Sequence, residues 1–186
     1  MRRRTLIKLF AGFAAGLLPL AANAQQTART RWPAAAEKAR RDYQKISRPD
    51  EADRERYISR LIRIRERAAS GKDDSWEPVD TELRKHPAPA DPAKLSERLA
   101  GEWQSPRHDY LYRKDGTWTM LPAEQDGVQS THGTWRIDGN QLIETVFTDP
   151  PMTSRHTIIL ISDKDFVFAH DDDVFYETRL KPARKR

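Results

Sequence analysis

The sequence predicts an α+β protein, with a charged helical region followed by a small antiparallel up-and-down β-barrel. Two observations carry this prediction. Apolar residues recur at helical spacing up to about residue 86 and with a period of two from Leu99 onward. Trp103, Trp118 and Trp135 each follow a glycine by two positions, and turn-forming residues punctuate the same region at short intervals.

The chain opens on a segment set apart from that fold. Residues 1–24, MRRRTLIKLFAGFAAGLLPLAANA, place three arginines before an apolar run, Leu9 to Leu20, and end on Ala22-Asn23-Ala24. This is the layout of a secretory signal peptide, with cleavage expected after Ala24. The apolar run is shorter than the roughly 20 residues that a membrane-spanning helix needs, so no integral membrane segment is expected after cleavage. Arg3-Arg4-Thr5-Leu6-Ile7-Lys8 resembles the twin-arginine export motif, and Sec export is the other route; both predict a periplasmic or secreted protein. Arg2, Arg3, Arg4 and Lys8 contribute much of the formal net charge of +5, and the rest of the chain is close to neutral. That balance gives no basic stripe for nucleic acid. The absence of cysteine excludes disulfides, so the fold depends on its core.

Residues 25–90 form the helical region. Tyr57, Leu61, Ile64 and Ala68 recur at i, i+4, i+7 and i+11, and Ile58, Ile62 and Ala69 widen the stripe. Ser47 or Arg48 is the expected cap, with Pro49 in the first turn and Gly71 as the stop. An earlier helix is expected over Pro33–Lys45, and a short one from Ser75 as N-cap to about Lys85. The alternating prolines of His86–Pro92 then forbid helix and make a short, semi-rigid spacer. Residues 25–90 carry an excess of bases and the remainder an excess of acids, so the helices are expected to dock on the barrel or cover one mouth. The arginines between Arg60 and Arg67 read as a solvated helix face.

Residues 91–181 form the barrel, and 182–186 a basic tail. The expected strands are Glu102–Ser105, Asp109–Arg113, Thr117–Leu121, Thr131–Ile137, Gln141–Phe147, His156–Ser162, Asp165–Ala169 and Val174–Leu180. Lys114-Asp115-Gly116, Asp138-Gly139-Asn140, Ser162-Asp163-Lys164 and Asp171–Asp173 supply tight connections. A meander of this kind removes its exposed edges by curling shut.

Leu99-Ala-Gly-Glu-Trp103 resembles the Gly-x-Trp opening of lipocalins and the wider calycin group, and the later DGTW and GTWRIDGNQLIE stretches resemble small bacterial lipocalin-like domains. The resemblance spans about Lys94 to Lys181. It implies a helical turn over Lys94–Leu99, a Trp103 that plugs the closed end, and an arginine of the last strand, here Arg179, packed across it. Gly101, Trp103 and Arg179 are thus the structural signature. The domain is shorter than a full lipocalin, lacks its Thr-Asp-Tyr motif and has no C-terminal helix.

Strand parity groups Tyr110 with Tyr112, Trp118 with Met120, Trp135 with Ile137 and Phe166 with Phe168. If these faces leave space, Tyr110, Tyr112, Trp118 and Trp135 line an apolar site with two phenol hydroxyls; if they fill the barrel, there is no pocket. His108, His132, His156 and His170 are the candidates for a zinc site, but no His-x-His or His-x3-His pair occurs and no cofactor is expected. Ser130 and Ser154 stand near His132 and His156 without a nucleophile elbow. Two inward carboxylates among Glu102, Glu144 and Glu177 would make an acid/base pair. The leading expectation is a non-enzymatic exported binding module for a small apolar or amphipathic ligand. The alternatives are a filled barrel that binds an envelope protein partner, and a zinc-binding calycin.

Overall fold

The structure is a computed structural model that describes residues 32–70, 77–106, 108–122 and 130–180. The expected signal peptide, the expected stop at Gly71, the expected cap at Ser75 and the basic tail lie outside these. Four helices precede eight strands among the described residues: α1 (Ala34–Gln44), α2 (Glu51–Ser70), α3 (Glu77–Leu83) and α4 (Pro92–Leu99). Then come β1 (Gly101–Gln104), β2 (His108–Tyr112), β3 (Thr117–Pro122), β4 (Thr131–Asp138), β5 (Gln141–Val146), β6 (Met152–Ile161), β7 (Asp165–His170) and β8 (Asp173–Arg179). The strands pair antiparallel in sequence order and close into a barrel, as the meander pattern requires.

Every strand limit except the start of β6 lies within one residue of the sequence-based expectation. Helix α3 ends at Leu83 rather than about Lys85, and Pro49 precedes α2 instead of lying in its first turn. The cap of α2 and the start of β6 differ for a physical reason. Asp50, not Ser47 or Arg48, accepts the hydrogen bond at the start of α2: its Oδ1 receives the Asp53 N–H at 2.7 Å, and Asp53 Oδ2 receives the Asp50 N–H at 3.3 Å. The reciprocal pair holds both carboxylates at the positive end of the helix, which an unpaired Ser47 would not match. β6 starts at Met152, four residues before the expected His156. The early residues are polar and mostly exposed, so their strand character comes from pairing with β5, Val146↔Met152 to Ile143↔Arg155, rather than from an apolar alternation.

The core has two parts. Helices α1 to α3 pack Ala36, Tyr57, Ile58, Leu61, Ile62, Val79 and Leu83 against the outer face of β6 to β8, through Ile159, Leu160, Val167, Ala169 and Val174. The bulge between Ile158 and Leu160 allows Ile159 and Leu160 to join this outer layer together. Arg54 fixes the seam by donating to the His86 carbonyl at 2.5 Å and to the Ile159 carbonyl. The second part fills the lower barrel with Leu99, Trp103, Tyr112, Trp118, Trp135, Leu142, Ile158, Ile161 and Phe166.

Trp103 is fully buried, and its indole N–H donates to the Leu99 carbonyl at 2.7 Å. The Arg179 guanidinium lies over its ring, 4.1 Å from the centroid, and donates to the Ala100 carbonyl at 3.2 Å and to the Arg98 carbonyl. Gly101 makes room for this cap. Its φ is +143°, and a Cβ there would stand 2.4 Å from Arg179 Nη1. Gly133 is tighter still, because a Cβ would stand 1.9 Å from the Thr145 carbonyl oxygen across the β4–β5 ladder.

Three outcomes follow for unfolding in denaturant. Trp103→Ala lowers stability by about 3–5 kcal/mol by opening a cavity in the floor. Arg179→Lys costs about 1–3 kcal/mol, because an ammonium cannot stack flat on the indole while donating to two carbonyls. Gly133→Ala costs at least about 1–3 kcal/mol by pushing β4 off β5. A Gly133→Ala protein as stable as the parent would show that the strands are not in this register.

Candidate functional site

β1 is only four residues long and pairs with β8 at Trp103↔Arg179 and Gln104↔Thr178. β8 starts at Asp173 and therefore runs past the end of β1. A half-open cleft of about 560 Å³ occupies this interval in the wall. Its inner lining is Tyr110 and His108 from β2, Phe168 from β7, and Phe175 and Glu177 from β8. Ser105 and Pro106 form its rim on one side, and Arg65, Val174 and Tyr176 on the other. The inner lining is predominantly aromatic, with Phe168 and Phe175 stacked at 5.3 Å.

Polar groups gather beneath the aromatic walls. Tyr112 donates its hydroxyl to Glu144 Oε1 at 2.8 Å. His156 Nε2 stands 2.9 Å from Glu144 Oε2, at ion-pair distance but out of hydrogen-bonding alignment. Glu177 is 6% exposed, and its Oε2 has no hydrogen-bond partner. Burial, and then the negative charge of Glu144, pushes the Glu177 carboxyl up to about 8. Burial and the same two carboxylates push the Tyr110 phenol up to about 12. His108 Nδ1 is likewise buried and unpartnered. The interior is thus apolar at its floor, polar at mid-height and aromatic beside the opening.

The four residues expected to line a ligand site divide between two places. Tyr110 lines the cleft. Tyr112 lies below it, 2% exposed, and is committed to Glu144. Trp118 and Trp135 are buried in the floor, and each indole N–H is taken by backbone: Trp118 by the Thr134 carbonyl at 3.1 Å, Trp135 by the Arg113 and Thr117 carbonyls at 3.0 Å. Of the three glutamates considered for an inward pair, Glu102 is exposed, whereas Glu144 and Glu177 are close enough for one to raise the other. The histidines do not gather: His156 and His170 lie ring to ring at 4.8 Å, His108 lines the cleft, and His132 packs on Phe147. Among the described residues no three metal-binding side chains converge.

Strand parity pairs Phe168 with Phe166 without placing either at a site, and Phe175 lies outside the four expected lining residues. The signal for Phe175 was present, since Phe175, Glu177 and Arg179 alternate along β8 and share its inner face. What parity does not contain is the shortness of β1, which determines where the wall opens. No family model, curated protein or solved structure matches this chain.

The raised Glu177 carboxyl makes stability depend on pH. The folded protein holds a proton that the unfolded chain, with an ordinary glutamate value of 4.5, releases. The associated stability is complete below about pH 4.5 and is lost as pH rises to about 8, by at most about 1.4 kcal/mol per pH unit. Glu177→Gln, which keeps the shape and cannot ionise, should remove this slope in urea melts across that window. An unchanged slope would show that Glu177 is not the group that titrates.

Proposed function

We propose that this chain is a lipocalin-like binding module, exported to the periplasm, which holds a small apolar or amphipathic ligand in the upper half of its barrel without transforming it. The observation that supports this most directly is the aromatic cleft of about 560 Å³ with two unpartnered buried polar atoms, Glu177 Oε2 and His108 Nδ1. That volume is in the range of sites for small organic ligands, and apolar walls with a few polar groups match their usual lining. The Trp103–Arg179 floor is in keeping with the calycin resemblance.

The rival reading, a filled barrel whose helices bind an envelope partner, needs an uncovered apolar helix stripe. Tyr57, Ile58, Leu61 and Ile62 are instead buried against β6 to β8. The zinc reading lacks convergent ligands among the described residues. The chemistry of catalysis is also thin at the cleft, where Glu177 faces aromatic rings with no hydroxyl or thiol nucleophile activated by a base.

N-phenyl-1-naphthylamine, uncharged at neutral pH, is a suitable probe of the apolar walls. It should bind with one-to-one stoichiometry and gain fluorescence. Phe175→Ala, at a site already 41% exposed, should weaken binding severalfold without unfolding the protein. Folded protein that gives no fluorescence gain would refute the binding role.

A further inference from the structure

The chemistry of the cleft also restricts the class of ligand, an inference that rests on the binding role above. A buried carboxylate oxygen without a partner is costly, and the cost falls when a ligand brings donors or a positive charge. Glu144, the other inward carboxylate, already accepts from the Tyr112 hydroxyl and has His156 Nε2 at ion-pair distance, whereas Glu177 Oε2 has no partner. Around it stand the rings of Tyr110, Phe168 and Phe175. Aromatic faces attract cations through their quadrupole. A ligand carboxylate would instead face the negative charge of Glu144, which already helps to hold Glu177 in its protonated form. Among the described residues, the cationic side chain at the rim, Arg65, is engaged elsewhere: it pairs with Asp80 at 3.1 Å and lies over Tyr176 at 4.0 Å. His108 Nδ1, buried in the same lining, can accept a second N–H when the ring carries its proton on Nε2.

We propose that the cleft selects small organic cations, primary amines carried on an apolar body, by setting the ammonium against Glu177 and the face of Tyr110 and the apolar body against Phe168 and Phe175. An ammonium has three donors, enough for Glu177 Oε2 and His108 Nδ1 with one left for water. Glu177, pushed up to about 8, holds its proton at pH 7 when no ligand is bound. An arriving ammonium lets it ionise beside Glu144, so binding of the amine releases a proton and binding of a neutral ligand does not.

Calorimetric titration of the full-length chain at pH 7 with three probes of matched size tests this: 2-phenylethylamine, 2-phenylethanol and 3-phenylpropanoate. The amine should bind about tenfold or more tightly than the alcohol, and the acid weakest. Glu177→Gln should abolish the advantage of the amine, by weakening the amine about tenfold more than the alcohol, whereas Phe175→Ala should weaken both alike. Equal affinity for amine and alcohol, or an amine advantage that survives Glu177→Gln, overturns the inference. Failure of all three probes in protein that still takes up N-phenyl-1-naphthylamine overturns it alone; loss of that uptake as well removes the binding role on which it rests.

Discussion

The barrel is closed by four residues. β1 has two pairs to offer β8, Trp103↔Arg179 and Gln104↔Thr178, and a ladder that short cannot hold a wall together by backbone hydrogen bonds alone. The Arg179 guanidinium supplies what the ladder lacks. It stacks on Trp103 and reaches back to the Ala100 and Arg98 carbonyls, which joins the last strand to the first strand and to the helix before it. Trp103 in turn donates to Leu99. Helix, floor and seam therefore form one unit, and Gly101 is the residue whose missing side chain lets them meet. In a chain without cysteine, this packing does the work that a disulfide would do elsewhere.

The helices stabilise the same strand from the other side. Tyr176, on the outer face of β8, donates to Asp80 Oδ1 of α3 at 2.5 Å and carries Arg65 of α2 over its ring. Asp80 is raised by burial, against the lowering effects of Tyr176 and Arg65, so the tether is partly desolvated and strengthened by its low-dielectric setting. The neighbouring residues, Phe175 and Glu177, point to the opposite face and line the cleft. One strand thus carries structural contacts outside and candidate binding contacts inside. Its first half has no β1 partner, so its ladder with β7 and the outer tether hold the inner groups in place.

The fold was legible because each of its signals is local. Turn residues at short spacing gave the meander, period two gave the faces, and the spacing of Tyr57, Leu61 and Ala68 gave the helix that packs on them. The arginine over Trp103 was legible only through the calycin resemblance, since nothing local links positions 103 and 179. The site was half legible. Parity put Tyr110, Tyr112, Trp118 and Trp135 inside, but it carries no information on height along the barrel axis, and height separates the floor from the cleft. The closeness of Glu144 and Glu177 depends on β5 and β8 facing each other inside the barrel, which no local pattern encodes.

The interior is graded for a physical reason. A barrel of eight strands is barely wide enough for side chains to fill it, so bulky indoles at one level leave no room for a ligand there. Here Trp103, Trp118 and Trp135 occupy the floor, with every indole N–H satisfied by backbone, and this level provides stability rather than recognition. Space remains only where the lining residues are smaller or the wall is interrupted, and β1 ends at that height. On the proposed binding role, a ligand entering there meets the Glu177 carboxyl group before it meets the tryptophans. Selectivity should then follow charge at the entrance more than the shape of the core beneath it.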